Sequence, residues 1–184
     1  MRPAVRRPAA SAWRAAFIAA SLAWAVLLIA APWLASRAHA SQPESLLILA
    51  VYSIGSLVCH QRPERSYQLW AAQMPVCARC AGIYVGAVLG ALARAVRTAR
   101  AVRRDRSGAA QGADHPSPAV AQGFSPATHA RVLLALAAAP TLATLVYEWT
   151  TGDMPSHAIR AAAGAAIGAA IAWLVVAAAE NQVN

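Results

Sequence analysis

Four long apolar runs constrain this chain more than any other feature. Trp13–Leu34, Val76–Val96, Val132–Trp149 and His157–Ala179 each carry no more than a charge or two. A hydrocarbon layer about 30 Å thick is crossed by about 20 helical residues, close to the length of each run. Backbone amides in lipid find no water, so they must be satisfied within a helix rather than at the edge of a strand. The expected fold class is therefore an all-α integral membrane protein, a bundle of four full transmembrane helices plus one shorter apolar helix over Ser45–Val58. That fifth run would extend only about 21 Å at 1.5 Å per residue, so it either re-enters from one face or spans where the bilayer thins. Composition agrees, because 59% of the 184 residues are apolar and only 12% are charged. A soluble domain carries about twice that charge.

The charges that remain are lopsided. Sixteen basic residues, all of them Arg, stand against seven acids and give a net charge of +9. Nucleic acid is not an expected partner, because the arginines lie between apolar runs without interleaved aromatics. They orient the chain instead. Arg94, Arg97, Arg100, Arg103, Arg104 and Arg106 follow an apolar run directly, and the positive-inside bias makes Arg94–Arg106 cytoplasmic. Such a cluster also attracts anionic lipid headgroups, so the expected partners are the bilayer and those headgroups.

The N-terminal Arg2, Arg6, Arg7 and Arg14 favour the same side, which requires an even number of crossings between the two basic segments and favours a re-entrant Ser45–Val58. The organisation expected is a single membrane domain in the cell (inner or plasma) membrane. It divides into a basic tail at 1–12, a first helical part at 13–97, a basic, flexible cytoplasmic linker at 98–130 and a C-terminal helical hairpin at 131–184. A competing reading takes Ala38-His39-Ala40 as a signal-peptide cleavage site. The preceding apolar core exceeds the usual 7–15 residues, which favours a retained span.

Chain threading then gathers the chemistry. Whatever the absolute orientation, Cys59, His60, Cys77 and Cys80 share one membrane face with Glu148, Asp153, His157 and Arg160, and with Arg94–Arg106 inside that face is extracytoplasmic. All three cysteines fall within Cys59-His60-Gln61-Arg62-Pro63-Glu64-Arg65-Ser66 and Pro75-Val76-Cys77-Ala78-Arg79-Cys80. Pro75 suits the first turn of a helix. Cys77 and Cys80 then lie at i and i+3 on one face, where the helix N-terminus and Arg79 favour thiolate.

Three functions are open on these residues. A transition-metal site, zinc being the natural occupant, would use Cys59, Cys77 and Cys80 with His60 or His157 as fourth ligand. A quinone-linked thiol–disulfide oxidoreductase would exchange Cys77 and Cys80, with Cys59 as partner. A non-catalytic lipid-binding or scaffolding bundle would use the cysteines only for packing. Arg62, Arg65 and Arg79 are expected to support the site electrostatically, with Arg62 and Arg65 also able to form an anion pocket. Glu148 and Arg160, both at membrane depth, are expected to pair. Tyr67 and Trp70 read as interface anchors. Gly82, Gly86 and Gly90, with Gly164 and Gly168, read as a seam packing the cysteine-bearing helix on the last helix, or as a homodimer contact.

The motifs Cys59-His60-Gln61, Pro63, Arg65-Ser66, Cys77-Ala78-Arg79-Cys80, Gly82-Ile83-Tyr84 and Gly86, together with Ser156, Arg160, Gly164 and Gly168, resemble the prokaryotic membrane-protein family of domain of unknown function 2085 (DUF2085). The resemblance implies a multi-spanning membrane protein and no known reaction. It departs from the family's pattern where Glu148 is followed by Trp149 and where His157 stands in place of an Asn.

Overall fold

The structure is a computed structural model, and it describes residues 8–37, 39, 41–110 and 126–181. Five helices dominate it: α1 (Pro8–Ala35), α2 (Gln42–Val58), α3 (Ala78–Ala110), α4 (Pro126–Thr151) and α5 (His157–Asn181). Segments of α1, α3, α4 and α5 are long and apolar enough to cross a membrane, and α2 is the shorter apolar helix. Large apolar side chains cover the outside, among them Leu46 at 64%, Leu136 at 68% and Trp149 at 80% exposure. A bundle standing in water would not carry so wide an apolar surface; in lipid the same surface costs nothing. The fold is an all-α membrane bundle.

Helices α3 and α5 form its centre. Every glycine of the two stripes sits against backbone of the opposite helix: a Cβ built on Gly82, Gly86 or Gly90 would meet the carbonyl oxygen of Ala161, Ala165 or Ala169 at 2.0–2.2 Å. Gly164 and Gly168 meet the carbonyls of Arg79 and Ile83 at 2.1 and 2.0 Å. Dispersion and close backbone approach hold helices together where lipid supplies no hydrophobic drive, so small residues at four-residue spacing dictate this contact. Of the two readings of these glycines, the packing seam between the cysteine-bearing helix and the last helix is the one present within the chain.

The remaining helices dock on that pair. α1 packs on α3, α2 and α5, and α4 packs mainly on α5. Trp24 meets Tyr84 edge to face at 5.9 Å between ring centroids. At one end of the bundle the Glu180 carboxylate of α5 pairs with Arg94 of α3 at 2.7 Å and Arg14 of α1 at 3.4 Å, and accepts a bond from Thr98. Arg94 and Arg97 also stack over Trp173. The start of α1 and the arginine-bearing part of α3 therefore share one end.

Helix α2 begins and finishes at the other end. Arg37, just beyond α1, lies 3.8 Å from Glu44 in the first turn of α2. Glu44 accepts hydrogen bonds from the Ser41 N–H and hydroxyl, fixing the helix start. Cys59, which closes α2, packs in one cluster with Leu28 and Ala31 of α1. The start of α2 is thus tied to the end of α1, and its finish packs on the last turns of α1.

Local differences from the sequence reading have physical causes. Helix α3 continues through the arginine cluster to Ala110, so residues 98–110 are helical rather than linker, because Ala and Arg are strong helix formers. Pro75 lies outside the helix, since α3 starts at Ala78 with the Cys77 carbonyl accepting from the Ala81 N–H at 2.9 Å. Between α2 and α3 stand a 3-10 turn (Pro63–Arg65) and a small antiparallel hairpin of β1 (Gln68–Leu69) and β2 (Ala72–Gln73), which the apolar periodicity did not reveal. Its two turn residues, Trp70 and Ala71, take φ of +51° and +63°, a turn that ordinarily uses Asn-Gly and so leaves no signature here. Residues 1–7 of the basic tail, positions 38 and 40 of the possible cleavage site, and 111–125 of the linker lie outside the described residues.

A Gly86→Leu substitution is expected to force α3 and α5 apart and lower the thermal midpoint in detergent, a loss of about 1–3 kcal/mol or more. Val85→Leu on the 47% exposed neighbouring position is expected to leave the midpoint unchanged.

Candidate functional site

The segment joining α2 to α3 is built to hold Cys59 against the start of α3. Gly55 in α2 leaves room for it: a Cβ there would lie 2.3 Å from the Pro75 carbonyl oxygen and 2.8 Å from Gln61 Nε2. Gln61 fills that space and donates from Nε2 to the carbonyls of Tyr52 at 2.8 Å and Pro75 at 2.7 Å, tying α2 to the strand that leads into Cys77. Gln73 donates back to the Gln61 carbonyl, and the Tyr52 hydroxyl donates to the Gln73 carbonyl. Ser66, 1% exposed, donates to the Arg62 carbonyl at 3.0 Å and closes the 3-10 turn. These bonds pair polar groups that are wholly or partly withdrawn from solvent.

The result brings three thiols together. The sulfurs of Cys59, Cys77 and Cys80 lie within 4.8 Å of one another, and none is in a disulfide. Cys59 is buried at 9% exposure, and its Sγ accepts from the Cys77 N–H at 3.2 Å. Hydrogen bonding from the Cys80 thiol, then from the Cys80 N–H and the Cys59 thiol, with the positive charge of Arg160 behind, lowers the pKa of Cys77 well below the ordinary thiol value against the opposing effect of burial. Thiolate is the form that ligates metals and attacks disulfides.

The two histidines stand differently. His60 lines the same cavity as the thiols, but its ring nitrogens lie outside the close group of ligand atoms. His157 is engaged elsewhere: its Nε2 lies 3.3 Å from the Glu64 carbonyl oxygen and its ring packs on Tyr67 with centroids 5.3 Å apart.

Behind the thiols is an ion cluster centred on Glu148. Its carboxylate, 6% exposed, pairs with Arg79 at 2.9 Å, Arg160 at 3.3 Å and Arg65 at 3.8 Å. Arg79 also donates to the Thr144 hydroxyl at 3.1 Å. The expected Glu148–Arg160 pair is present, and the sequence reading missed that Arg79 and Arg65 converge on the same acid. The sequence signals only that an acid at membrane depth takes a partner, and it does not say which arginines converge on it. Arg62 sits apart, 4.0 Å from Glu64. A cavity of about 390 Å³ opens among these groups, lined by the three cysteines, His60 and four arginines.

Replacing Glu148 by Gln keeps its shape and removes the charge shared by three guanidiniums. The expected cost is about 3–5 kcal/mol, the usual consequence of uncompensated buried charge, read as a lower thermal midpoint in detergent. An unchanged midpoint would mean that the arginines are balanced by other groups.

The segment that carries this geometry has relatives. The profile of a family described as predicted membrane protein (DUF2085) matches residues 59–110, from the first cysteine to the end of α3. An uncharacterized protein of Methanocaldococcus jannaschii is 40% identical over 60 residues, covering 33% of this chain and 38% of that protein. An uncharacterized protein of Methanothermobacter thermautotrophicus is 50% identical over 30 residues, covering 16% of this chain and 27% of that one. The matched region is thus well under half the length of either relative. No solved structure matches the chain significantly. Across the stretch that supplies all three cysteines, the chain is similar to the DUF2085 family of predicted membrane proteins.

Proposed function

We propose that this membrane protein functions through a transition-metal site, with Cys59, Cys77 and Cys80 as thiolate ligands and zinc as the occupant that suits them. The observation that carries the reading is the approach of three unpaired sulfurs to within 4.8 Å from two separate chain segments. Ligation at 2.3 Å in a tetrahedral arrangement would set the sulfurs about 3.8 Å apart, so a small contraction completes the set. His60, which lines the cavity, is the imidazole better placed to supply the fourth ligand, and His157 would have to leave Glu64 and Tyr67 to do so. Arg79 and Arg160, held by Glu148, offset the negative charge of a three-thiolate centre, with Arg65 and Arg62 further out. The arginine-rich stretch of α3 orients this end of the bundle to the extracytoplasmic face under the positive-inside bias.

Metal analysis of protein purified without chelator is expected to give about one zinc per chain, falling to near zero in Cys77→Ser. Equal, near-zero metal in both proteins overturns the reading.

A second reading is thiol–disulfide exchange, favoured by the approach of the unpaired Cys77 and Cys80 sulfurs one helical turn apart. Oxidation of the pair would form an S–S bond and release two electrons and two protons, which a membrane quinone would accept. Thiol trapping before lysis is expected, on this reading, to capture a reversible Cys77–Cys80 disulfide. Trapping that finds only free thiols in a protein without metal would leave the cysteines as packing groups of a lipid-binding or scaffolding bundle.

A further inference from the structure

The cavity beside the thiols is unbalanced in charge. Arg62, Arg65, Arg79 and Arg160 line it, and among the described residues no carboxylate does. Glu148 pairs with three of them and Glu64 lies 4.0 Å from Arg62, so four cations face two acids, and one positive charge remains even with one cysteine as thiolate. A divalent metal bound by three thiolates would contribute one negative charge, still leaving one positive charge unmatched.

The donors are unbalanced as well. Arg160 is 1% exposed, and its Nε lies 3.3 Å from the Glu148 carboxylate without a hydrogen bond. The Nε atoms of Arg65, Arg79 and Arg160 are buried and form no hydrogen bond, so protein partners do not use these side chains in full. A guanidinium presents five donors in a rigid plane and keeps its charge at any physiological pH. Four of them lining one cavity describe a receptor for an anion with many acceptor oxygens. A carboxylate offers two oxygens in one plane, whereas forks arriving from separate chain segments suit the four oxygens of a tetrahedral group.

We propose that this cavity binds a phosphate group through Arg62, Arg65, Arg79 and Arg160. At about 390 Å³ it has room for inorganic phosphate with water or for the phosphodiester of an anionic lipid headgroup. The site rests on the arginines and holds whether or not the thiols carry metal.

The test uses the full chain in neutral detergent, titrated calorimetrically with inorganic phosphate, beside reconstitution in nanodiscs of mixed phosphatidylcholine and phosphatidylglycerol with retained lipid counted by native mass spectrometry. Arg65→Gln removes one fork at a side chain that is 37% exposed and 3.8 Å from Glu148, and Arg62→Gln does the same at the outermost arginine, 61% exposed, should the first variant fail to fold. Either substitution is expected to weaken phosphate binding, or retention of phosphatidylglycerol, by about tenfold or more, in line with the loss of charge-assisted hydrogen bonds. A response in the calorimetric arm assigns the free anion, and a response in the lipid arm assigns the headgroup. Cys77→Ser, with its metal content measured, is expected to retain the binding. The proposal is overturned if both arms are indifferent to Arg65→Gln and Arg62→Gln. It is equally overturned if binding survives those changes and disappears with Cys77→Ser, which would place the anion on the metal instead.

Discussion

The approach of α3 to α5, backbone against backbone, is the contact on which the other features depend. Five glycines remove the side chains that would hold the two helices apart, and backbone carbonyls of the opposite helix occupy the space. With the axes this close, Arg79 near the start of α3 and Arg160 near the start of α5 reach the same carboxylate on α4. Cys77 and Cys80 are presented at the same end because the seam begins within the first turns of α3. Lipid supplies no hydrophobic force between helices, so the polar contacts at the bundle end add to dispersion along the seam rather than to burial from water.

The opposite partner of the thiol group is positioned by loop chemistry. Cys59 terminates α2 and would be free to move with the loop, were it not for Gln61 bridging the Tyr52 and Pro75 carbonyls. The Cys-His-Gln motif therefore combines two tasks in adjacent residues: Cys59 supplies a sulfur, and Gln61 fixes the segment that brings it to Cys77. Gly55 belongs to the same device, since any side chain at that position would displace Pro75.

Much of this was legible in the sequence. Run lengths and charge content give the number of long helices, and glycine spacing gives the seam, because both follow from simple periodic rules in lipid. The clustering of Cys59, Cys77 and Cys80 was readable because helix threading places their segments at one face. The gathering of Arg79 and Arg65 on Glu148 was not, since those residues are 69 and 83 positions from their partner and only tertiary packing pairs them. The hairpin was hidden for another reason: Trp70 and Ala71 adopt left-handed φ values without the residues that normally announce such a turn. Helix α3 outran its expected end because arginine spacing signals topology but does not interrupt a helix.

Glu148 and Glu180 stand at the two ends of the same helical core, each gripping arginines from neighbouring helices. Shifting α3 along α5 by one helical turn, about 5.4 Å, would pull Arg79 from one acid and Arg94 from the other in a single movement. Contacts among alanines alone would allow such slippage at small cost. Two acids spaced along the core act as a pair of bolts, so the axial register of the bundle, and with it the height at which the sulfurs meet, has one setting.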